Sequence, residues 1–149
     1  MTQQLSTQRE RIYISESHHG IYKDLTTEKE GSPQPFKTMK DLFLLAALIG
    51  YQQEKRLTLE QGTGIFAWAQ FSAQEDVPVL RALAIAETGD VNVLANQDEL
   101  LTIAEEYANG GIVEIQEQVA EMPGNRIANL VGLLQKRLWT DVSPVNRGN

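Results

Sequence analysis

Apolar residues recur at three- and four-residue spacing through most of the chain, which predicts about five to seven helices. The segment from Met39 to Ile49 is apolar on every side beyond its first turn, and a soluble protein tolerates such a helix only at the centre of its core. Thr38 and Asp41 resemble a capping box at its start, and Gly50 stands where a C-cap would be. We therefore predict that residues 39–49 form the central helix.

The second half of the chain predicts amphipathic helices. One begins after a cap at Asn96 or Asp98, carries Glu99, Glu105 and Glu106 opposite its apolar stripe, and ends at Asn109-Gly110-Gly111. The last helix begins after a second capping asparagine, and the spacing predicts that its apolar residues point into the core. That helix and its inward face comprise Asn125 as the cap and Ile127, Leu130, Val131, Leu134 and Leu138.

Two short segments favour β-structure. Residues 12–14 are β-prone, whereas residues 65–71 alternate like a strand but contain the alanines of a helix, so both structures stay open there. The predicted fold class is all-α, a compact helical bundle with room for a minimal β pair near the N-terminus. We expect residues 1–10 to be a disordered tail, residues 11–139 a single helical domain and residues 140–149 a C-terminal tail.

Charge is distributed unevenly along the 149 residues, whose formal net charge is −7. Residues 61–125 contain one basic residue against eleven acidic ones, and this excess disfavours nonspecific binding of that segment to nucleic-acid phosphates. The chain has no cysteine, which excludes disulfides and thiolate metal sites. No apolar run approaches the ~20 residues of a membrane span, and the polar start lacks a secretory signal. We expect a cytoplasmic protein with no membrane partner.

Residues suited to catalysis are sparse. His18 and His19 are adjacent and point to different faces of a helix, and the chain has no other histidine, so we expect no zinc site. Residues 62–64 lack the third glycine and the lysine of a phosphate-binding loop. No serine stands in a nucleophile-elbow pattern. The sequence therefore predicts no enzyme activity and no metal or other cofactor, with a carboxylate-only site as a third alternative.

Two sets of charged residues are candidate binding surfaces. The acidic helices between residues 98 and 121 are typical of a surface that docks onto a basic protein, and the candidate docking residues are Glu105, Glu106, Glu114 and Glu117. The alternative is a small DNA-binding regulator that uses basic residues at the two ends of the domain, namely Arg9, Arg11, Arg126, Lys136 and Arg137. A homo-oligomer formed through apolar surface is also left open.

Two stretches of the sequence resemble a known family. The first is PFKTMKDLFLLAALIGYQQEKRLTL (35–59), and the second is LRALAIAETGDVNVL (80–94) followed by EEYANGGI (105–112). Together they resemble the Dnd system-associated proteins, a small prokaryotic family named for lying beside DNA phosphorothioation genes. The resemblance extends from about residue 10 to about residue 138, and its motifs are structural.

The resemblance implies a place in a DNA modification and restriction system that serves phage defence. Phosphorothioation replaces a non-bridging phosphate oxygen with sulfur, using a cysteine desulfurase, an iron–sulfur protein and ATPases, and companion proteins restrict unmodified DNA. A chain without cysteine cannot be the sulfur carrier, and one without a phosphate-binding loop is not expected to be the ATPase. The resemblance therefore implies a non-enzymatic accessory or regulatory protein whose partners are other proteins of this machinery. It brings no catalytic residues with it.

Overall fold

The computed structural model of the protein describes residues 8–29 and 31–142. It is 63% helical with one two-stranded antiparallel sheet, which confirms the predicted fold class. None of the described helices combines the length and the apolar character needed to cross a bilayer. The elements follow one another as β1 (Arg11–Ser15), α1 (His19–Leu25), α2 (Met39–Gln52), β2 (Gly62–Ala67), α3 (Asp76–Thr88), α4 (Gln97–Ile115) and α5 (Arg126–Val142).

Helix α2 lies at the centre of the core, as its all-round apolar pattern predicts. The Thr38 hydroxyl caps its start by accepting a hydrogen bond from the Asp41 amide at 3.3 Å. Leu42 and Phe43 are fully buried. The prediction of a C-cap at Gly50 is wrong, because α2 continues through this glycine to Gln52.

Helix α4 packs directly against α2, and glycines bring the two backbones together. A Cβ at Gly50 would overlap the Tyr107 carbonyl, and one at Gly111 would overlap the Ala46 carbonyl. The predicted break at Asn109-Gly110-Gly111 is therefore wrong: these residues remain helical, and the glycines serve close packing. Helix α4 then runs into a π-helical extension, Gln116–Ala120.

The β pair covers one side of this helical core. Strands β1 and β2 are antiparallel, with Arg11 opposite Ala67 and Ser15 opposite Gly62 and a bulge between Ile12 and Tyr13. The ambiguous segment 65–71 divides between the two open alternatives, since β2 ends at Ala67 and a short 3-10 turn follows. Phe66 of β2 packs edge-on against Phe43 of α2, with ring centroids 5.7 Å apart.

Helix α5 lies against the π-helical extension of α4 and continues past the predicted domain boundary at residue 139. Asn125 caps it as predicted, its side-chain oxygen accepting from the Ala128 amide at 2.9 Å. Leu133 is the one fully buried residue in the part of α5 whose side chains are described, and Leu130 is partly buried. The predicted inward orientation is wrong for the other four apolar residues, whose exposures are 38% for Ile127, 47% for Val131, 42% for Leu134 and 62% for Leu138.

Candidate docking surface

Glu105 lies inside the protein, so its predicted place on a solvent-facing docking surface is wrong. It is 5% exposed because β1 covers this side of α4. Its carboxylate accepts a hydrogen bond from the Tyr13 amide at 2.8 Å and forms an ion pair with Arg9. Burial raises the pKa of Glu105, although the hydrogen bond from Tyr13 and the charge of Arg9 favour the ionised form. This residue ties the N-terminal strand to α4.

Arg9, a candidate for DNA contact, is engaged by α4 through its backbone as well as its side chain. Its amide donates to Asp98 at 3.0 Å, and its carbonyl accepts from the Gln97 side chain at 2.9 Å. Its guanidinium lies 5.6 Å from the centre of the Tyr13 ring. Residue 9 was expected in a disordered tail, and it is ordered by these contacts. Residues 1–7 of that predicted tail lie outside the described residues.

Two further docking candidates are also held in internal ion pairs. The Arg56 Nε donates to Glu106 at 2.8 Å, and the same guanidinium donates to Glu87 at 2.7 Å. Glu114 binds Arg137 and also accepts from Gln53. Arg137 belongs to the basic candidate set, as Arg9 does, so the two candidate sets partly neutralise each other within the fold.

Arg126 is a third basic candidate with an internal partner. It forms a two-pronged pair with Asp24, with nitrogen–oxygen distances of 3.0 and 2.9 Å. This pairing holds the pKa of Asp24 below its usual range. The other two basic candidates, Arg11 on β1 and Lys136 on α5, have exposed side chains. These two exposed side chains lie on separate elements.

The fourth docking candidate, Glu117, stays on the surface. It lies in the first turn of the π-helical extension, and Glu121 is the residue at its C-cap; the last turn contains no basic residue. Glu121 also borders an open cavity of about 470 Å³ together with Asp24 and Arg126. Within residues 8–29 and 31–142, six carboxylates of the acidic segment form no ion pair: Glu75, Asp90, Asp98, Glu99, Glu117 and Glu121.

A second surface, which the charge pattern did not indicate, is apolar. We call Ile127, Val131, Leu134 and Leu138 the apolar stripe of α5. Leu48 and Tyr51 of α2 are also exposed and line a cavity of about 420 Å³ with the last two residues of the stripe. The sequence shows the spacing of the stripe but does not predict that these four side chains are exposed to solvent. Spacing alone does not determine which side of a helix packs against the core.

The described residues contain no group of three or more histidine or acidic side chains placed to hold a metal ion. His18 lines a recess with Asn109 and Glu60. Burial lowers the pKa of His18, and this effect outweighs the opposing influence of those two neighbours.

A family model described as DNA sulphur modification system-associated protein 4 matches residues 11–143. No curated protein and no solved structure matches the chain. The matched region begins at the first residue of β1 and includes both strands and all five helices described above.

Proposed function

The chain belongs to the family of DNA sulphur modification system-associated protein 4, and on this basis we propose that it is a non-enzymatic accessory protein of that system. Its mechanism is docking onto other proteins of the modification or restriction machinery. The surface that we assign to docking is the acidic end of α4, formed by Glu117 and Glu121. Three members of the original candidate set, Glu105, Glu106 and Glu114, are structural because each already has a basic partner within the fold.

The observation that carries this proposal is the unfavourable placement of two exposed carboxylates. Glu117 lies in the π-helical extension and Glu121 is its C-cap, so two exposed like charges lie four residues apart and repel each other. They also stand at the negative end of the helix dipole, which favours cations instead. No ion pair within the described chain relieves either carboxylate. A basic surface on a partner protein would relieve both effects at once.

Direct DNA contact is the weaker alternative. Arg9, Arg126 and Arg137 hold carboxylates within the fold, and releasing them for phosphate binding would leave those carboxylates without their partners. The formal charge of −7 also opposes approach to a polyanion. Both arguments favour a protein partner.

The proposal is tested by tagging the protein in its native host and recovering its complexes at moderate salt. We expect proteins of the DNA sulphur modification machinery to be recovered with the wild type and to be lost with Glu117→Lys/Glu121→Lys. The matched control is Glu28→Lys, which reverses an exposed carboxylate outside the acidic segment. Recovery should survive nuclease treatment and should decrease as the salt concentration rises.

Two results would overturn the proposal. Equal recovery with the wild type and the double variant would show that the acidic end of α4 is not the docking surface. Recovery that disappears after nuclease treatment would show that DNA, and not a protein contact, joins the chain to the machinery. Retention of the far-UV circular dichroism spectrum by both variants confirms that the comparison is made on folded protein.

A further inference from the structure

We propose that the apolar stripe of α5 is the interface of a homodimer, in which the α5 helices of two copies pair antiparallel about a two-fold axis. This inference goes beyond the docking function and uses a different surface, because the stripe does not include Glu117 or Glu121. The acidic ends of both copies would remain available to other proteins.

The spacing of the stripe is that of a coiled-coil seam. From Ile127 through Val131 and Leu134 to Leu138 the steps are four, three and four residues, which is the alternation of a heptad repeat. A neighbouring row on α5 has the same four–three–four spacing and consists of Arg126, Leu130, Leu133 and Arg137. This row packs against the rest of the protein, because Leu133 is buried in the core and the two arginines bind carboxylates. Helix α5 therefore presents two adjacent seams, of which one is packed and one is exposed.

The order of steps fits a second copy as the occupant of the exposed seam. A four–three–four pattern reads the same in both directions, so an antiparallel copy of α5 matches it residue for residue. Ile127 of one copy then lies across from Leu138 of the other, and Val131 across from Leu134. A surface that is complementary to itself in this way is what a two-fold interface requires.

The residues that flank the stripe permit self-pairing. On one side of the stripe lie Ala128 and Gln135, which carry no charge. On the other side lie Leu130 and Arg137, and antiparallel pairing places Arg137 of one copy across from Leu130 of the other. Among the residues of α5 up to Leu138, whose side chains are described, no like charges meet across the seam, and Arg137 is neutralised by Glu114 within its own copy.

The exposed area is sufficient for a dimer. The four residues of the stripe, with Leu48 and Tyr51 beside them, have exposed fractions between 36% and 62%. Six large side chains in this state offer on the order of 500 Å² per copy, and two copies together about 1,000 Å², which reaches the lower bound of a biological interface. A patch of this size is comparable with the largest apolar patch of a typical monomer, about 300–600 Å², which often marks an interaction site.

The test is the mass of the purified protein in solution, measured by sedimentation equilibrium over a wide range of concentration. We expect the wild type to have the mass of two chains, and Val131→Glu to have the mass of one. The matched control is Val91→Glu, the same substitution at an exposed valine outside α5, which should leave the dimer intact. A wild type that remains monomeric at all concentrations would overturn the proposal, and so would a Val131→Glu variant that remains dimeric.

Oxidative cross-linking tests the antiparallel arrangement without weakening the fold. The chain has no cysteine, so Ile127→Cys/Leu138→Cys introduces the only two. The two positions are roughly 16 Å apart along one helix, too far for a bond within a chain. Antiparallel pairing brings them together between copies, so the double variant should give a covalent dimer and Ile127→Cys alone should not. Equal cross-linking of the single and double variants would exclude this geometry.

Discussion

The close contact between α2 and α4 predicts that one substitution has opposite effects at two glycines. At Gly132 in α5, a Cβ would have no heavy atom within 4 Å among the described residues. Alanine there should gain the usual helix preference of about 0.5–1 kcal/mol over glycine. At Gly111 in α4 the same Cβ would overlap the Ala46 carbonyl. Gly132→Ala is therefore the matched control for Gly111→Ala.

The cost at Gly111 can be estimated from the kind of atom that the new Cβ would meet. An added carbon in a packed core costs about 1–3 kcal/mol, and more where the neighbour cannot move. The neighbour here is a backbone carbonyl inside α2, so the whole helix must shift, and we expect a value near the top of that range. After the gain in helix preference, Gly111→Ala should lose about 2 kcal/mol or more of the 5–15 kcal/mol typical of a domain.

Urea unfolding followed by circular dichroism, at one fixed protein concentration, measures both variants against the wild type. We expect Gly132→Ala to raise the unfolding free energy and Gly111→Ala to lower it. Gly50→Ala should behave like Gly111→Ala, because its Cβ would overlap the Tyr107 carbonyl. The reasoning is refuted if Gly111→Ala is as stable as the wild type, since the two helix backbones could not then be in contact.

Three further predictions concern buried groups. Because burial raises the pKa of Glu105, the folded state favours the protonated carboxyl. The unfolding free energy of the wild type, relative to Glu105→Gln, should therefore fall as the pH rises above 4.5. A rise over this pH range would contradict the assignment. Because burial lowers the pKa of His18, the folded state favours the neutral imidazole. The unfolding free energy of the wild type, relative to His18→Gln, should therefore fall as the pH drops below 6.5. The His19→Gln variant keeps His18, so its stability should fall with pH as that of the wild type does. Thermal unfolding should show a cost of about 2–5 kcal/mol for Leu133→Ala and much less for Leu94→Ala, an exposed leucine outside α5; equal costs would mean that Leu133 does not anchor α5.

Local sequence signals located most of the helices correctly. Thr38, Asn96 and Asn125 cap the helices that they were predicted to cap, because an N-cap depends on the residue and the next three positions alone. The apolar pattern likewise identified α2 as central. In both cases the physical cause lies within the segment itself.

The errors have causes that lie elsewhere in the chain. The sequence around Gly111 predicts the end of a helix. Its actual role in close packing depends on the backbone of α2, which is distant in sequence and passes beside it. Glu105 reads as a solvent-exposed residue unless Arg9 and the Tyr13 amide, more than ninety positions away, are known to meet it. Long-range pairing explains why most of the candidate site residues were misplaced. Both charged sets were predicted from the charge pattern along the sequence, whereas ion pairs between distant residues determine which charges reach the surface.

The long-range pairing of β1 has a consequence for how the protein is made. Strand β1 is synthesised early, but its partners arrive late: β2 ends at Ala67, and Glu105 lies 92 residues beyond Tyr13. At typical elongation rates that interval lasts on the order of ten seconds. Throughout it, Ile12 and Ile14, which the finished fold buries, lack the face of α4 against which β1 packs. Strand β1 is therefore open to chaperones and to non-native association until α4 has been synthesised.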